Sequence, residues 1–67
     1  MKVSYKKLWK LLIDRDMTQS QLKELTGISS GSMTKMRKGE SVSLNILGKI
    51  CEVLNCDIGD IISFKEH

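Results

Sequence analysis

The stretch MTQSQLKELTGISSGSMTKMRKGE, residues 17–40, decides how the chain is read. Its centre, Ser29-Ser30-Gly31-Ser32, has the small polar composition of a flexible linker. The residues on either side argue against that reading. Thr18-Gln19-Ser20-Gln21 fits a capping box, with Thr18 as N-cap and Gln21 reaching back to its backbone. Met17 and Leu22 stand at the two positions of a hydrophobic staple, and Gly27 stands where a left-handed C-terminal cap belongs. A short helix over 19–26 follows. The same signature then recurs: Ser29 as N-cap, Ile28 and Met33 as staple, Met33 and Met36 as an apolar stripe, Gly39 as the stop. This predicts a second helix over 30–38. A linker would separate two units that each hold a core, and neither half of this chain can bury enough apolar area alone.

The pattern extends outward on both sides. Leu8, Leu11, Leu12 and Arg15 fall at helical spacing with Lys6, Lys7 and Lys10 between them, so an amphipathic helix is expected from Ser4 to near Asp14. Ser43 can cap a further helix, stapled by Val42 and Leu47, with Leu44, Leu47, Ile50, Cys51 and Leu54 as its buried face. Asp57 can cap a last, short helix stapled by Cys56 and Ile61. The expectation is an all-α fold of five helices in a single domain spanning residues 1–67, with its core over about 4–63.

Composition narrows the function. The 67 residues suit one small domain, and 40% hydrophobic with 28% charged content suits a globular fold. The longest apolar run, Leu11-Leu12-Ile13, is too short for a signal peptide or a membrane span, so a cytoplasmic location is expected. Cys51 and Cys56 lack metal-site spacing, and the only histidine is His67. A zinc site needs about four ligands, so no metal is expected and both cysteines are read as buried free thiols. There is no Ser/His/Asp set, no paired Cys and His, and no Gly-rich phosphate loop, so neither catalysis nor a cofactor is expected. The net charge of +3 hints at an anionic partner.

A short helix ending at Gly27, a tight turn, and a second short helix form a helix-turn-helix arrangement. In such a pair the second helix enters the DNA major groove. With Met33 and Met36 inward, the opposite arc exposes Ser30, Gly31, Thr34, Lys35 and Lys38. Small residues there allow close approach to a duplex, and Lys35 can reach guanine O6/N7, an interaction worth about 1–3 kcal/mol. Helical N–H groups near Ser29 and Ser30 suit a phosphate.

At these residues the sequence resembles the Cro/repressor-type (XRE) helix-turn-helix family of bacterial and phage regulators. The resemblance rests on Thr18-Gln19, Leu22, Gly27-Ile28-Ser29, Met33 and Gly39, and on the later pattern Leu47, Ile50, Leu54 and Ile61. It covers about residues 5–63, and the ending Cys51…Leu54-Asn55-Cys56…Gly59-Asp60 is similar to compact, domain-only members. It implies a lambda-repressor-like bundle of five helices that binds double-stranded DNA as a homodimer. Ser29, Ser30, Gly31, Thr34 and Lys35 are then expected at bases or groove, and Thr18, Gln19, Ser32 and Lys38 at phosphates. The expected role is a transcriptional regulator, a repressor of phage or mobile-element type in the bacterial nucleoid. The rival reading is an antitoxin-like module that keeps the fold and neutralises a toxin protein.

Two positions depart from the family pattern. Many members carry Ala where Lys23 stands; the lysine stem can lie along the helix contact and send its charge outward. Many carry a long amide or basic side chain where Gly31 stands. Gly31 is either a neutral first-turn residue or a point of close backbone approach. Elsewhere, Lys2, Lys6, Lys7 and Lys10 form a solvated helix face or a secondary backbone contact. Asp14-Arg15-Asp16 reads as a solvated helix end, and Trp9 as a packing anchor against the Phe64 region. Ile58, Ile62 and Phe64 are either core or a dimer surface.

Overall fold

Four α-helices follow one another along residues 3–64, the part of the chain that the computed structural model describes. They are α1 (Lys6–Asp14), α2 (Gln19–Thr26), α3 (Ser30–Arg37) and α4 (Leu44–Leu54), followed by a single 3₁₀ turn, Ile58–Asp60. No strand occurs among the described residues; Ser4 and Ser63 form one isolated antiparallel bridge. The expected five helices are therefore four. Asp57 does cap the last element, in a capping box with Asp60. Gly59 sits at its centre, and Ser63 must turn back to exchange backbone bonds with Ser4 at 2.7 and 3.0 Å, so the turn does not lengthen into an α-helix.

Local chemistry sets the other boundaries. Thr18 and Gln21 form the expected capping box on α2, and Gly27 closes it at φ +72°. Ser29 caps α3 by accepting from the Ser32 N–H, and Ser43 caps α4 by accepting from the Ile46 N–H. Lys38 is the C-cap of α3 rather than its last residue, and Gly39 takes φ +75° just beyond. Asn55 ends α4 in the left-handed region, which a short amide side chain tolerates. The start of α1 differs from expectation. Its N-cap position is Tyr5, with no side-chain cap, because Ser4 is engaged with Ser63.

Leu8 and Leu12 of α1, Leu22 of α2, Met33 and Met36 of α3, and Leu47, Ile50 and Leu54 of α4 close around Ile28 and Ile61. This is the expected core stripe, with three corrections. Leu44 is 73% exposed, because the first residue of α4 points away from the face that Leu47 and Ile50 bury. Cys51 and Cys56 are free but only half-buried, at the rim of the core where α4 ends. The half-buried Trp9 pairs with Tyr5, ring centroids 6.3 Å apart, while Phe64 is 69% exposed.

The segment before α1 carries long-range bonds. Val3 N–H donates to the Gly39 carbonyl at 2.9 Å, and the buried Tyr5 hydroxyl donates to the Glu40 carbonyl at 2.8 Å. The chain just after α3 is thus clamped by residues more than thirty positions earlier. Lys2 and His67 lie outside the described residues.

Candidate nucleic-acid interface

Met33 and Met36, each 1% exposed, fix the rotation of α3 about its axis. Ile28, buried beside Ser29, holds the entry to the helix. What remains outward is Ser30, Gly31, Thr34, Lys35, Arg37 and Lys38, all exposed. Ser30, Gly31, Thr34, Lys35 and Lys38 are thus exposed together on α3, as expected, and Arg37 joins them. Lys35 and Lys38 take no side-chain partner among the described residues, so both ammonium groups stay available to an anion.

The hydroxyl groups are not equally free. The Ser29 oxygen accepts from the Ser32 N–H at 3.2 Å and lies 3.0 Å from the Ser32 hydroxyl. Ser32 is half-buried, toward the inner side of the helix. Thr34 donates its hydroxyl proton to the Ser30 carbonyl at 2.9 Å, which leaves its lone pairs facing out. Thr18 is exposed, and its oxygen caps α2 by accepting from the Gln21 N–H at 3.1 Å. A Cβ at Gly31 would meet nothing nearer than the Ser29 oxygen at 3.8 Å, so the surface there is open.

Two cations join α2 to α3. Lys23 donates its ammonium to the Ser30 hydroxyl oxygen at 2.6 Å. Its stem is half-buried against the helix contact, as the sequence suggested, but the charge ends on the first residue of α3 rather than in open solvent. Arg37 donates its Nε–H to the Gln19 side-chain oxygen at 2.5 Å, which brings the start of α2 beside the end of α3. The Gln19 amide nitrogen remains free to donate to a phosphate. Neither Lys23 nor Arg37 was among the expected contact residues. Spacing could have found Arg37, which lies three and seven residues after Thr34 and Ser30 and so shares their side of the helix. No sequence signal reports the Lys23–Ser30 bond.

The clamp on the chain after α3 comes from two buried residues, Val3 and Tyr5, whose bonding groups are paired. Burial pushes the Tyr5 hydroxyl above its ordinary pKa, partly offset by the Val42 backbone. Among the described residues no buried side-chain polar atom lacks a partner, and no helix is long and apolar enough to cross a membrane.

Three comparisons bear on this geometry. The pattern of the Cro/C1-type HTH DNA-binding domain matches residues 7–67. YozG, an uncharacterized HTH-type transcriptional regulator of Bacillus subtilis (strain 168), is 30% identical over 57 residues, covering 82% of this chain and 68% of that protein. The crystal structure of the transcriptional regulator VanUg (Form II) is similar at a TM-score of 0.90 and 58% identity, covering 92% of this chain and 83% of that one.

Proposed function

The chain belongs to the Cro/C1-type helix-turn-helix DNA-binding family, and from that premise we propose that it is a sequence-specific repressor that lays α3 in the DNA major groove. The observation that carries this reading is the outward face of α3: small residues at Ser30, Gly31 and Thr34, flanked by Lys35 and Lys38, which have no side-chain partner among the described residues. Small residues let the helix approach base edges, and the two ammonium groups supply a base contact and a phosphate contact. Lys35 is assigned to bases, Lys38 and the Gln19 amide to phosphates, with Thr18 and Ser32 beside them. Ser29 caps the helix at the groove. A homodimer would place two copies of α3 about 34 Å apart, one turn of DNA. The proposed repressor is of phage or mobile-element type and acts at the bacterial nucleoid.

Fluorescence-anisotropy titration with duplexes selected from a random library tests the proposal. Binding that weakens steeply with salt and prefers the selected duplex over a scrambled one is expected. Salt-insensitive or absent binding contradicts it. A second reading, an antitoxin-like module seated on a toxin, is favoured by apolar side chains exposed away from α3: Ile13, Leu25, Leu44 and Phe64. Stoichiometric co-purification with a neighbouring gene's product, without retained DNA, would select it.

A further inference from the structure

The hydrogen bonds around α3 fix which way its hydroxyl groups can speak. A lysine ammonium has donors only, so in the 2.6 Å Lys23–Ser30 bond the serine oxygen is the acceptor. The Ser30 proton must then point elsewhere, and among the described residues no other group receives it. Thr34, one turn on, has the opposite polarity: its proton is spent on the Ser30 carbonyl at 2.9 Å, and only lone pairs face outward. The space between them is open, since Gly31 presents no side chain and a Cβ there would have only the Ser29 oxygen at 3.8 Å for company. The Lys23 ammonium, with N–H groups beyond the one given to Ser30, borders that space from α2.

We propose that Lys23 is a specificity-determining residue. Together with the Ser30 hydroxyl that it orients, it presents two donors to one base, while Thr34 presents an acceptor to a neighbouring base. The inference rests on the reading that α3 enters the major groove. There, guanine is the base that offers two acceptors side by side, N7 and O6. Adenine pairs its N7 with an amino donor, which two protein donors match poorly. An outward acceptor at Thr34 needs an exocyclic amino group, on cytosine N4 or adenine N6. The site read by the start of α3 thus holds a guanine beside Lys23 and Ser30, and an amino-bearing base beside Thr34. Lys23 supplies from α2 the long donor that Gly31 lacks on α3.

The experiment selects binding duplexes from a random library with the full chain, for wild type, Lys23→Met, Ser30→Ala and the double variant. The affinity for the wild-type site is then measured with its key guanine replaced by 7-deazaguanine. Wild type should select guanine and lose roughly tenfold in affinity on the replacement. In Lys23→Met and in Ser30→Ala that loss should shrink to within about twofold, and the double variant should add nothing further, because the two residues act as a unit. Lys23→Met keeps the packed stem, and the exposed Ser30→Ala gives an independent arm if the first variant melts early. The proposal is overturned if Lys23→Met weakens every duplex equally, lowers the salt slope by about one and leaves the guanine preference intact, for then Lys23 contacts a phosphate. Absence of any selection by wild type would overturn the major-groove reading itself, and that result appears in the wild-type arm alone.

Discussion

At Gly39 the backbone takes φ +75°, and a Cβ there would sit 3.2 Å from the Val3 carbonyl oxygen. At Gly27 the backbone is similar, φ +72°, but nothing lies within 4 Å. Left-handed backbone costs a non-glycine residue about 1–2 kcal/mol. Urea unfolding should therefore find both Gly27→Ala and Gly39→Ala destabilised, with Gly39→Ala the worse because the clamp from Val3 must also shift. Equal losses would mean that the Val3–Gly39 contact carries no weight. Gly31 is the opposite case. It is helical and its Cβ position is roomy, so Gly31→Ala should gain stability by up to about 1 kcal/mol, less in a first turn. Its DNA affinity should fall if the backbone there meets the duplex closely, and stay level if Gly31 is merely a neutral first-turn residue. The sequence named this residue but left its role open, because a glycine shows only what is missing and not what approaches it.

At the scale of the elements, the starts of α2, α3 and α4 were legible because their caps are local. Thr18, Ser29 and Ser43 each bond a backbone N–H three residues on, and residue order alone encodes that geometry. Ser29→Ala should cost about 1 kcal/mol in urea unfolding and fray the first turn of α3. The start of α1 was not legible, since Tyr5 is held by Glu40, across the fold, rather than by a side-chain cap. The fifth helix failed for a similar reason: its cap chemistry is present, but the Ser4–Ser63 bridge draws the chain away. The links between α2 and α3 also escaped, because Lys23 and Arg37 are long side chains whose partners are chosen by tertiary placement. If α3 enters the major groove as proposed, Lys35→Ala should relax sequence choice at one base pair. Lys38→Ala should instead weaken all duplexes alike and lower the salt slope by about one. An even loss across duplexes for Lys35→Ala would move it to the phosphate contacts.

Across the whole molecule, the core and the outward face of α3 are two sides of one arrangement: the burial of Met33 and Met36 in the shared core turns Ser30, Thr34 and Lys35 outward. Alkaline pH should loosen it in a defined order. Burial, and then the neighbouring Cys56 thiol, push Cys51 above its ordinary value of 9.0, and burial pushes Tyr5 above 10.0. A group whose pKa is raised on folding contributes stability below its unfolded value and loses it as pH climbs through the folded one. Stability should hold to about pH 9 and decline above it. Cys51→Ser should remove the first part of the decline, and Tyr5→Phe the later part, at a cost of about 1 kcal/mol from the lost bond to Glu40. An unchanged alkaline profile in both variants would refute this assignment. Whether α3 is the surface that meets DNA can be read from backbone amide resonances followed during titration with a selected duplex. The largest shifts are expected at Ser29–Lys38 and at Thr18-Gln19. Shifts concentrated instead around Ile13, Leu44 and Phe64, with α3 unmoved, would contradict it.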